Sequence, residues 1–234
     1  MKTIGLLGGM SWESTVLYYQ LVNRAVAHRL GGLHSAQVLL YSVDFHDVEV
    51  LQREARWEEA GALLAEAAAA LERGGAQCIV VCTNTMHKVS DAIEARVGIP
   101  LLHIADPTAD AILRAGCHRA GLLGTRFTME QDFYRARLQR RGIDVVIPDK
   151  PDRDRVHDVI YDELCRGEVR DDSRAAYRAI LAKLVAAGAQ CIVLGCTEIG
   201  MLVGAADASV PIFDTTVLHA QAAARFALGE ALPG

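Results

Sequence analysis

The sequence predicts an α/β fold built from two pseudo-symmetric doubly wound domains, each with a mainly parallel sheet flanked by helices. Short, nearly all-apolar segments alternate with helical stretches along the chain, and such segments, bounded by glycine, are typical of parallel strands buried on both faces. An internal repeat is the second observation, because residues 75–84 read GAQCIVVCTN and residues 188–197 read GAQCIVLGCT. One strand and the polar turn that follows it therefore occur twice, which indicates a functional site formed by two similar halves.

The repeat extends over both halves of the chain. GLLG at 5–8 recurs at 121–124, and IPL at 99–101 is matched by VPI at 210–212. A period of about half the chain is far longer than the roughly 20–50 residues of a solenoid, so it favours two similar domains. We predict an active site in the cleft between two domains, the first formed by residues 1–101 with 214–234 and the second by residues 102–213.

Seven apolar runs, each too short for a helix, predict the strands in the order 3–7, 36–43, 77–82, 100–104, 119–123, 143–147 and 190–194. The remaining stretches are long enough for helices at 12–30, 48–73, 86–97, 107–116, 128–141, 153–187 with an interruption near Gly167, and 214–228. Because strands and helices alternate, neighbouring strands are expected to run parallel, with helices on both faces of each sheet.

Composition and charge exclude several classes of protein. The chain is 51% hydrophobic and 23% charged, which is an ordinary globular composition and argues against disorder. The net charge is −5 and the basic residues are interspersed with acidic ones, whereas a nucleic-acid groove needs a basic face. No apolar stretch reaches bilayer length, and residues 1–9 lack the features of a signal peptide. We therefore expect a cytoplasmic protein with reduced thiols and neither a nucleic-acid nor a membrane partner.

Four polar turns follow predicted strands, at residues 8–11, 82–85, 124–127 and 195–198. Ligands of doubly wound sheets bind beyond the carboxyl ends of the strands, and the amides at a helix start favour anions. The turns therefore predict a small anionic ligand. The dinucleotide and Walker glycine spacings are both missing from the sequence, so we expect no nucleotide cofactor.

The six cysteines differ in their predicted surroundings. Cys78 and Cys191 fall inside strands, where a thiol packs as a small apolar side chain. Cys196 follows Gly195 at the end of a strand and precedes a helix, an environment that lowers the pKa of a thiol. When the two repeated segments are aligned without a gap, Thr83 occupies the position that corresponds to Cys196. A zinc site is not predicted, because the Cys-x3-Cys and Cys-x4-Cys spacings do not fit a zinc knuckle formed by Cys78, Cys82, Cys191 and Cys196.

The segments TNTMH at 83–87 and GCTE at 195–198 resemble the two active-site motifs of the aspartate/glutamate racemase family, usually CNTxH and GCTE. The opening IGLLGGM at 4–10 is also similar to the start of that family. The resemblance spans nearly the whole chain. It implies two pseudo-symmetric domains, cofactor-independent racemisation of aspartate or glutamate, and a homodimer.

The first motif departs from the family, since its cysteine position is occupied by Thr83 while Cys82 lies one residue earlier. In an extended segment that step turns the side chain to the other face. Racemisation needs a base and an acid on opposite faces of the α-carbon. The resemblance therefore implies Cys196 as the main base, acting on the L-enantiomer, and Thr83 as a weak opposite partner aided by His87. Cys82 remains the alternative to Thr83.

The resemblance also implies roles in substrate binding. Asn84, Thr85 and Thr197 are expected to hold the α-carboxylate, and Glu198 to accept the ammonium group or to tune the thiol. Arg155, or its neighbour Arg153, is expected to bind the side-chain carboxylate. The complete predicted binding set is Met10, Gln52, Asn84, Thr85, Thr125, Arg155, Thr197 and Glu198.

Two alternative functions stay open on the sequence alone. A related isomerase, such as a hydantoin racemase or a maleate isomerase, would keep a cysteine at position 196 and change the pocket around it. A non-enzymatic carboxylate-binding protein with hinged domains would keep the amides at the helix starts but would need no activated thiol.

Overall fold

A computed structural model describes residues 1–230 of the chain. The chain forms two compact units, one comprising Met1–Ile104 with the segment that starts at His219, and the other comprising Ala105–Leu218. Each unit contains a four-stranded, wholly parallel sheet flanked by helices. The predicted α/β class with two doubly wound sheets is confirmed.

The eight strands, in chain order, are β1 (Ile4–Gly8), β2 (Val38–Ser42), β3 (Cys78–Val81), β4 (Leu101–Leu102), β5 (Arg119–Gly124), β6 (Asp144–Val146), β7 (Cys191–Gly195) and β8 (Ile212–Asp214). Their order is β2-β1-β3-β4 in the first sheet and β6-β5-β7-β8 in the second. The central strands of each sheet are therefore neighbours, with Leu7 beside Val81 in one and Gly124 beside Gly195 in the other.

The helices are α1 (Trp12–Leu30), α2 (Phe45–Arg53), α3 (Trp57–Arg73), α4 (Ser90–Glu94), α5 (Ala105–Arg114), α6 (Arg126–Glu130), α7 (Asp132–Arg140), α8 (Lys150–Asp162), α9 (Asp171–Ala186), α10 (Ile199–Leu202) and α11 (Thr215–Ala227). Short 3₁₀ segments cover Thr85–Val89, Leu164–Arg166 and Ala205–Asp207. Within residues 1–230, no helix combines the length and the apolar character needed to cross a membrane.

The central strands of the first sheet are buried on both faces, because they are apolar at every position except glycine. Leu7, Ile79 and Val81 face α2 and α3, where they join a cluster that contains Leu64. The alternate residues, among them Leu6, face the opposite cluster formed with α1 and α11. This continuous apolar pattern is the one expected for a parallel sheet covered by helices.

The core of the second unit lies between its central strands and helices α8 and α9. Leu123, Ile192 and Leu194 contact the buried faces of these helices, in a cluster that also contains Leu181 and Cys196. The predicted catalytic cysteine therefore lies at the edge of a well-packed core, which fixes the turn on which it is carried.

Two predicted helices are interrupted. The predicted helix at 48–73 is wrong as a single element, because the chain turns at residues 54–56, where Ala55 takes a φ of 56°. The predicted helix at 128–141 breaks at Gln131, whose backbone is extended. The residues at both breaks are compatible with a helix, so local composition carries no signal for them. Strand β8 is only three residues long and was not predicted.

A buried histidine stabilises the first unit. Tyr18 Oη lies 2.8 Å from Nδ1 of His219, and Nε2 of the same ring lies 2.8 Å from the carbonyl oxygen of Leu102. Because that carbonyl can only accept, Nε2 carries the proton and Nδ1 accepts from Tyr18. Burial, together with the nearby His87, lowers the pKa of His219 to about 3. The ring is therefore neutral in the folded protein.

This depressed pKa predicts a pH-dependent contribution to stability. The unfolded chain binds a proton at His219 below about pH 6.5 and the folded chain does not, so the free energy of unfolding falls as the pH decreases towards 3. In a His219→Gln variant, which keeps a donor for Leu102 but does not titrate, the loss between about pH 7 and pH 5 should be smaller by about 2 kcal/mol. Urea unfolding followed by circular dichroism at both pH values measures this difference.

The matched control is His34→Gln, which replaces an exposed histidine and should retain the pH dependence of the wild type. An equal loss of stability in the wild type and in His219→Gln would contradict the assigned protonation of the buried ring.

Candidate active site

The four predicted turns all follow central strands, and within each unit the two turns are adjacent. In the first unit, the amide of Cys82 donates to Leu7 O at 2.9 Å, and Ser14 Oγ at the start of α1 donates to Cys82 O at 3.4 Å. In the second unit, Gly124 and Gly195 are paired at the ends of β5 and β7. The parallel register therefore brings the predicted turns together in two pairs, one in each unit.

The turn after β1 is organised by Thr15, which the sequence analysis did not single out. Its Oγ1 accepts a hydrogen bond from Gly9 N at 2.8 Å and donates to Ser11 O at 2.9 Å. A Cβ at Gly8 would collide with the Thr15 side chain, so only glycine permits this approach. The predicted binding residue Met10 is buried in the core next to α2. A hydroxyl residue near the start of a helix that follows Gly-Gly is the sequence feature from which this role of Thr15 could have been predicted.

The turn after β3 carries Thr83, Asn84 and Thr85, all of them buried; Thr83 retains 9% of its surface. Gln52 of α2, another predicted binding residue, is also buried and donates from Nε2 to Met86 Sδ at 3.0 Å. The predicted binding residues of the first unit are thus concentrated around the carboxyl ends of its central strands.

The side chain of His87 holds this turn in place by contacting backbone atoms of other residues. Ile104 N donates to Nε2 at 3.2 Å, so Nε2 is unprotonated and Nδ1, 2.8 Å from Thr83 O, donates to that carbonyl. Both ring nitrogens therefore contact backbone atoms. This geometry favours His87 as a positioning residue for the Thr83 turn over the proton-donating role expected from the sequence.

Cys82 is fully buried on the α1 side of the sheet, in the cluster that contains Tyr18 and Val80. Its thiol donates to Val80 O at 3.6 Å, and burial raises the pKa of Cys82 far above that of a free thiol. A thiol in this position is both protonated and covered by apolar side chains.

In the second unit, Thr125 caps helix α6, with its Oγ1 accepting from Thr128 N at 3.3 Å. Of the two candidate arginines on α8, Arg153 donates to Glu130 at 2.8 Å and to Pro148 O at 2.7 Å, whereas Arg155 is exposed. Arg153 is thus held by protein partners. Arg155 lies within electrostatic range of Tyr177.

Cys196 lies on the turn after β7 with 7% of its surface exposed. Its Sγ donates to Glu198 Oε2 at 3.0 Å, and Thr197 Oγ1 donates to the same oxygen. The three motif residues therefore form one hydrogen-bonded group. Within residues 1–230, no cluster of three or more His, Cys, Asp or Glu side chains is arranged to hold a metal ion.

The expectation that the pKa of Cys196 is lowered proves wrong. Burial and the adjacent Glu198 carboxylate raise the pKa of Cys196 well above that of a free thiol. The helix that follows, α10, has only four residues, so its dipole is too short to offset a negative charge 3.0 Å from the sulfur. The thiol is therefore protonated until that charge is offset.

Tyr177 is a further residue that the sequence did not reveal. Its ring is buried in the core cluster that contains Cys196, and its hydroxyl donates to Val156 O at 3.0 Å. Burial and the nearby Cys196 raise the pKa of Tyr177. Its position within α9 follows ordinary core spacing, so the sequence offers no signal for its proximity to the cysteine.

The Cys196–Glu198 contact predicts that a Glu198→Gln variant has a more reactive thiol. Removing the negative charge beside the sulfur lowers the pKa of Cys196 and increases its thiolate fraction. Alkylation by iodoacetamide at about pH 8, followed by peptide mass spectrometry, should therefore be several-fold faster at Cys196 than in the wild type. A Glu163→Gln variant, which changes another buried acid of the same unit, should leave the rate unchanged. An unchanged or slower rate in Glu198→Gln would contradict the assigned electrostatics.

Comparison with known proteins places these motifs in a family. A sequence model of the Asp/Glu/hydantoin racemase family matches residues 7–223. The chain is 58% identical to a candidate Asp/Glu racemase from Yersinia pestis of known crystal structure, over 97% of this chain and 100% of that one, with a TM-score of 0.91. It is 32% identical to an aspartate racemase homologue from Pyrococcus horikoshii, with the same coverage and a TM-score of 0.83.

A more distant relative is the broad-specificity amino-acid racemase of Bacillus subtilis, which is 22% identical over 93% of this chain and 95% of its own length. The family description names racemases of aspartate, glutamate and hydantoins. Since the family match covers nearly all of the sequence, including both TNTMH and GCTE, the chain belongs to the Asp/Glu/hydantoin racemase family.

Proposed function

We propose that the protein is a cofactor-independent racemase of aspartate and glutamate, with Cys196 and Thr83 acting on opposite faces of the α-carbon. The observation that carries the proposal is the hydrogen-bonded group formed by Cys196 and Glu198 at the end of β7. Its counterpart at the matching repeat position is Thr83 at the end of β3. Family membership supports the reaction class, and the names of the relatives support acidic substrates.

Substrate binding activates the base in this proposal. The ammonium group of an amino acid placed beside Glu198 Oε2 offsets the negative charge that raises the pKa of Cys196. The thiol then releases its proton to solvent, and the resulting thiolate removes the α-proton of the L-enantiomer. A free carboxylic acid without an ammonium group would leave the thiol protonated. The site therefore couples formation of its base to the presence of the correct functional group.

The remaining binding residues hold the two carboxylates. Asn84, Thr85 and Thr197, with the amides of their turns, stabilise the α-carboxylate as negative charge develops at the carbon. Arg155 binds the side-chain carboxylate, because Arg153 is already engaged by Glu130 and Pro148. Further contacts to the substrate are assigned to Met10, Gln52 and Thr125.

The opposite face is served by a hydroxyl, which is a much weaker acid than a thiol. Thr83 therefore returns the proton slowly, directly or through a bound water. Burial of Cys82 in the apolar core supports Thr83 over Cys82 for this role. Because L- and D-enantiomers have equal free energy, kcat/KM for racemisation is the same in both directions. The asymmetry appears in proton exchange, and in kcat and KM taken separately.

The proposed setting follows from the same chemistry. A thiol base must remain reduced, so we propose a cytoplasmic setting for the reaction. The family resemblance makes a homodimer the expected assembly.

Removal of the proposed base should abolish racemisation. We expect Cys196→Ala to lower kcat for L-aspartate and L-glutamate by roughly 10²–10⁴-fold, the usual range for loss of a general base. Chiral chromatography of the reaction mixture measures the rate. The matched control is Cys191→Ala, which removes a buried thiol from the same strand and should stay within about threefold of the wild type. Retained activity in Cys196→Ala would overturn the assignment.

Replacement of the weak partner by a thiol should speed the reaction. In Thr83→Cys, a second thiol can act on the opposite face, so we expect kcat from the D-enantiomer to rise by about tenfold or more. Thr83→Ser keeps the hydroxyl and should resemble the wild type. Equal rates in the cysteine and serine variants would show that position 83 does not transfer the proton.

A further inference from the structure

A groove with a volume of about 380 Å³ lies between helices α1 and α11 of the first unit. Helix α1 lines it at positions 21, 24, 25, 28 and 29, while α11 and the residue after it line it at positions 221, 224, 225 and 228. Within each set, residues three and four positions apart share one helix face. The volume falls within the range of roughly 300–1,000 Å³ that is usual for small-molecule sites.

The floor of the groove is apolar. Leu21 and Ala25 of α1 and Leu228, which follows α11, are half-buried and pack against the core cluster between the two helices. Ala224 completes the floor from the side of α11. Because these side chains line the groove and are only partly covered by the core, the floor suits the apolar part of a ligand.

The rim of the groove is basic. It is formed by Arg24, His28 and Arg29 of α1 and by Arg225 of α11. Among residues 1–230, neither Asp nor Glu lines the groove, although the chain contains 29 acidic residues and only 24 Lys and Arg. The groove is therefore a local concentration of positive charge on an acidic protein.

Stabilisation of the helix ends accounts for only part of this rim. Three of its four side chains lie in the last turn of α1 or of α11, where cations interact favourably with the helix dipole. Arg24 lies more than one turn before the end of α1 at Leu30, beyond the reach of that effect. In the part of the chain that the structure describes, Arg24 pairs with no carboxylate; its Nη2 lies 3.5 Å from Gln20 Oε1. Its charge is thus available to a ligand.

The rim already holds one anion, which belongs to the chain itself. Glu230 lies just beyond α11, with Oε1 2.5 Å from Arg29 Nη2 and Oε2 3.8 Å from Arg225 Nε. The side chain of Glu230 is 42% exposed, so an anion from solution can compete with it. With this carboxylate in place, the three rim arginines leave the groove with an excess of two positive charges.

We propose that this groove binds a small organic phosphate monoester. A phosphate monoester carries a charge of about −1.5 to −2 at neutral pH, which matches the excess positive charge of the rim. Guanidinium groups bind phosphate oxygens through paired hydrogen bonds, and Arg24, Arg29 and Arg225 provide three of them. The organic part of the ligand lies on the floor, against Leu21 and Leu228.

The groove is separate from the turns of the candidate active site. Lys2, which precedes β1, donates from its backbone amide to Ala227 O at 2.8 Å. The end of α11 therefore lies at the amino edge of the first sheet, whereas the turns at 8–11 and 82–85 follow the carboxyl ends of β1 and β3. The inference does not depend on the reaction catalysed, because it rests on residues at the opposite edge of the sheet.

Isothermal titration calorimetry with phenyl phosphate as the probe tests the inference on a matched pair of variants. Arg24→Gln removes the rim charge that has no carboxylate partner, and should weaken binding by about tenfold or more. Arg73→Gln removes an exposed arginine from the last turn of α3, on the other face of the sheet, and should bind like the wild type. A wild type that does not bind phenyl phosphate, or equal affinities in the two variants, would overturn the inference.

A gain of affinity provides a second test. Glu230→Gln removes the carboxylate that competes for Arg29 and Arg225, and should bind phenyl phosphate several-fold more tightly than the wild type does. Inorganic phosphate lacks the apolar part and should bind the wild type more weakly than phenyl phosphate. The assignment is refuted if Glu230→Gln shows no gain, or if inorganic phosphate binds as tightly as phenyl phosphate.

Discussion

A buried thiol that lies 3.0 Å from a carboxylate is the interaction on which the proposed chemistry depends. Alone, the pair of Cys196 and Glu198 keeps the sulfur protonated, because a thiolate beside a carboxylate in a buried site is strongly disfavoured. In the proposed mechanism, the substrate ammonium group supplies the positive charge that makes this arrangement productive. A thiol that stays protonated beside Glu198 is less open to oxidation and alkylation than a thiolate would be.

The sheets explain how such a group is positioned. Because β5 and β7 are paired up to Gly124 and Gly195, the turns that carry Thr125 and Cys196 leave the sheet side by side. In the first unit, β1 and β3 are likewise paired, so the turns that follow them also leave the sheet side by side. There, Thr15 fixes one turn and His87 the other, in each case through contacts to backbone atoms. Each unit thus carries its own predicted site residues on rigid strand ends, with side chains that hold the turns.

Much of this organisation could be predicted from sequence because it depends on local pattern. Continuous apolar runs gave the parallel strands, and the gapless repeat gave the correspondence of Thr83 and Cys196. The break at Ala55 could not be predicted, since alanine and its neighbours favour a helix and only the tertiary structure turns the chain there. The direction of the Cys196 pKa shift also depends on burial and on the orientation of Glu198, and neither is encoded in the spacing of a motif. Tyr177 was missed for the same reason, because its proximity to Cys196 arises from contacts in the folded unit.

The most direct test of the central claim is the loss of the α-proton in D2O, followed by proton NMR with L- and D-aspartate and L- and D-glutamate in separate reactions. The account predicts rapid exchange from the L-enantiomers, catalysed by Cys196, with slower exchange from the D-enantiomers and slow inversion. Equal exchange from both enantiomers would contradict the assignment of Thr83 as the weak partner, and no exchange from any of the four would refute amino-acid racemisation.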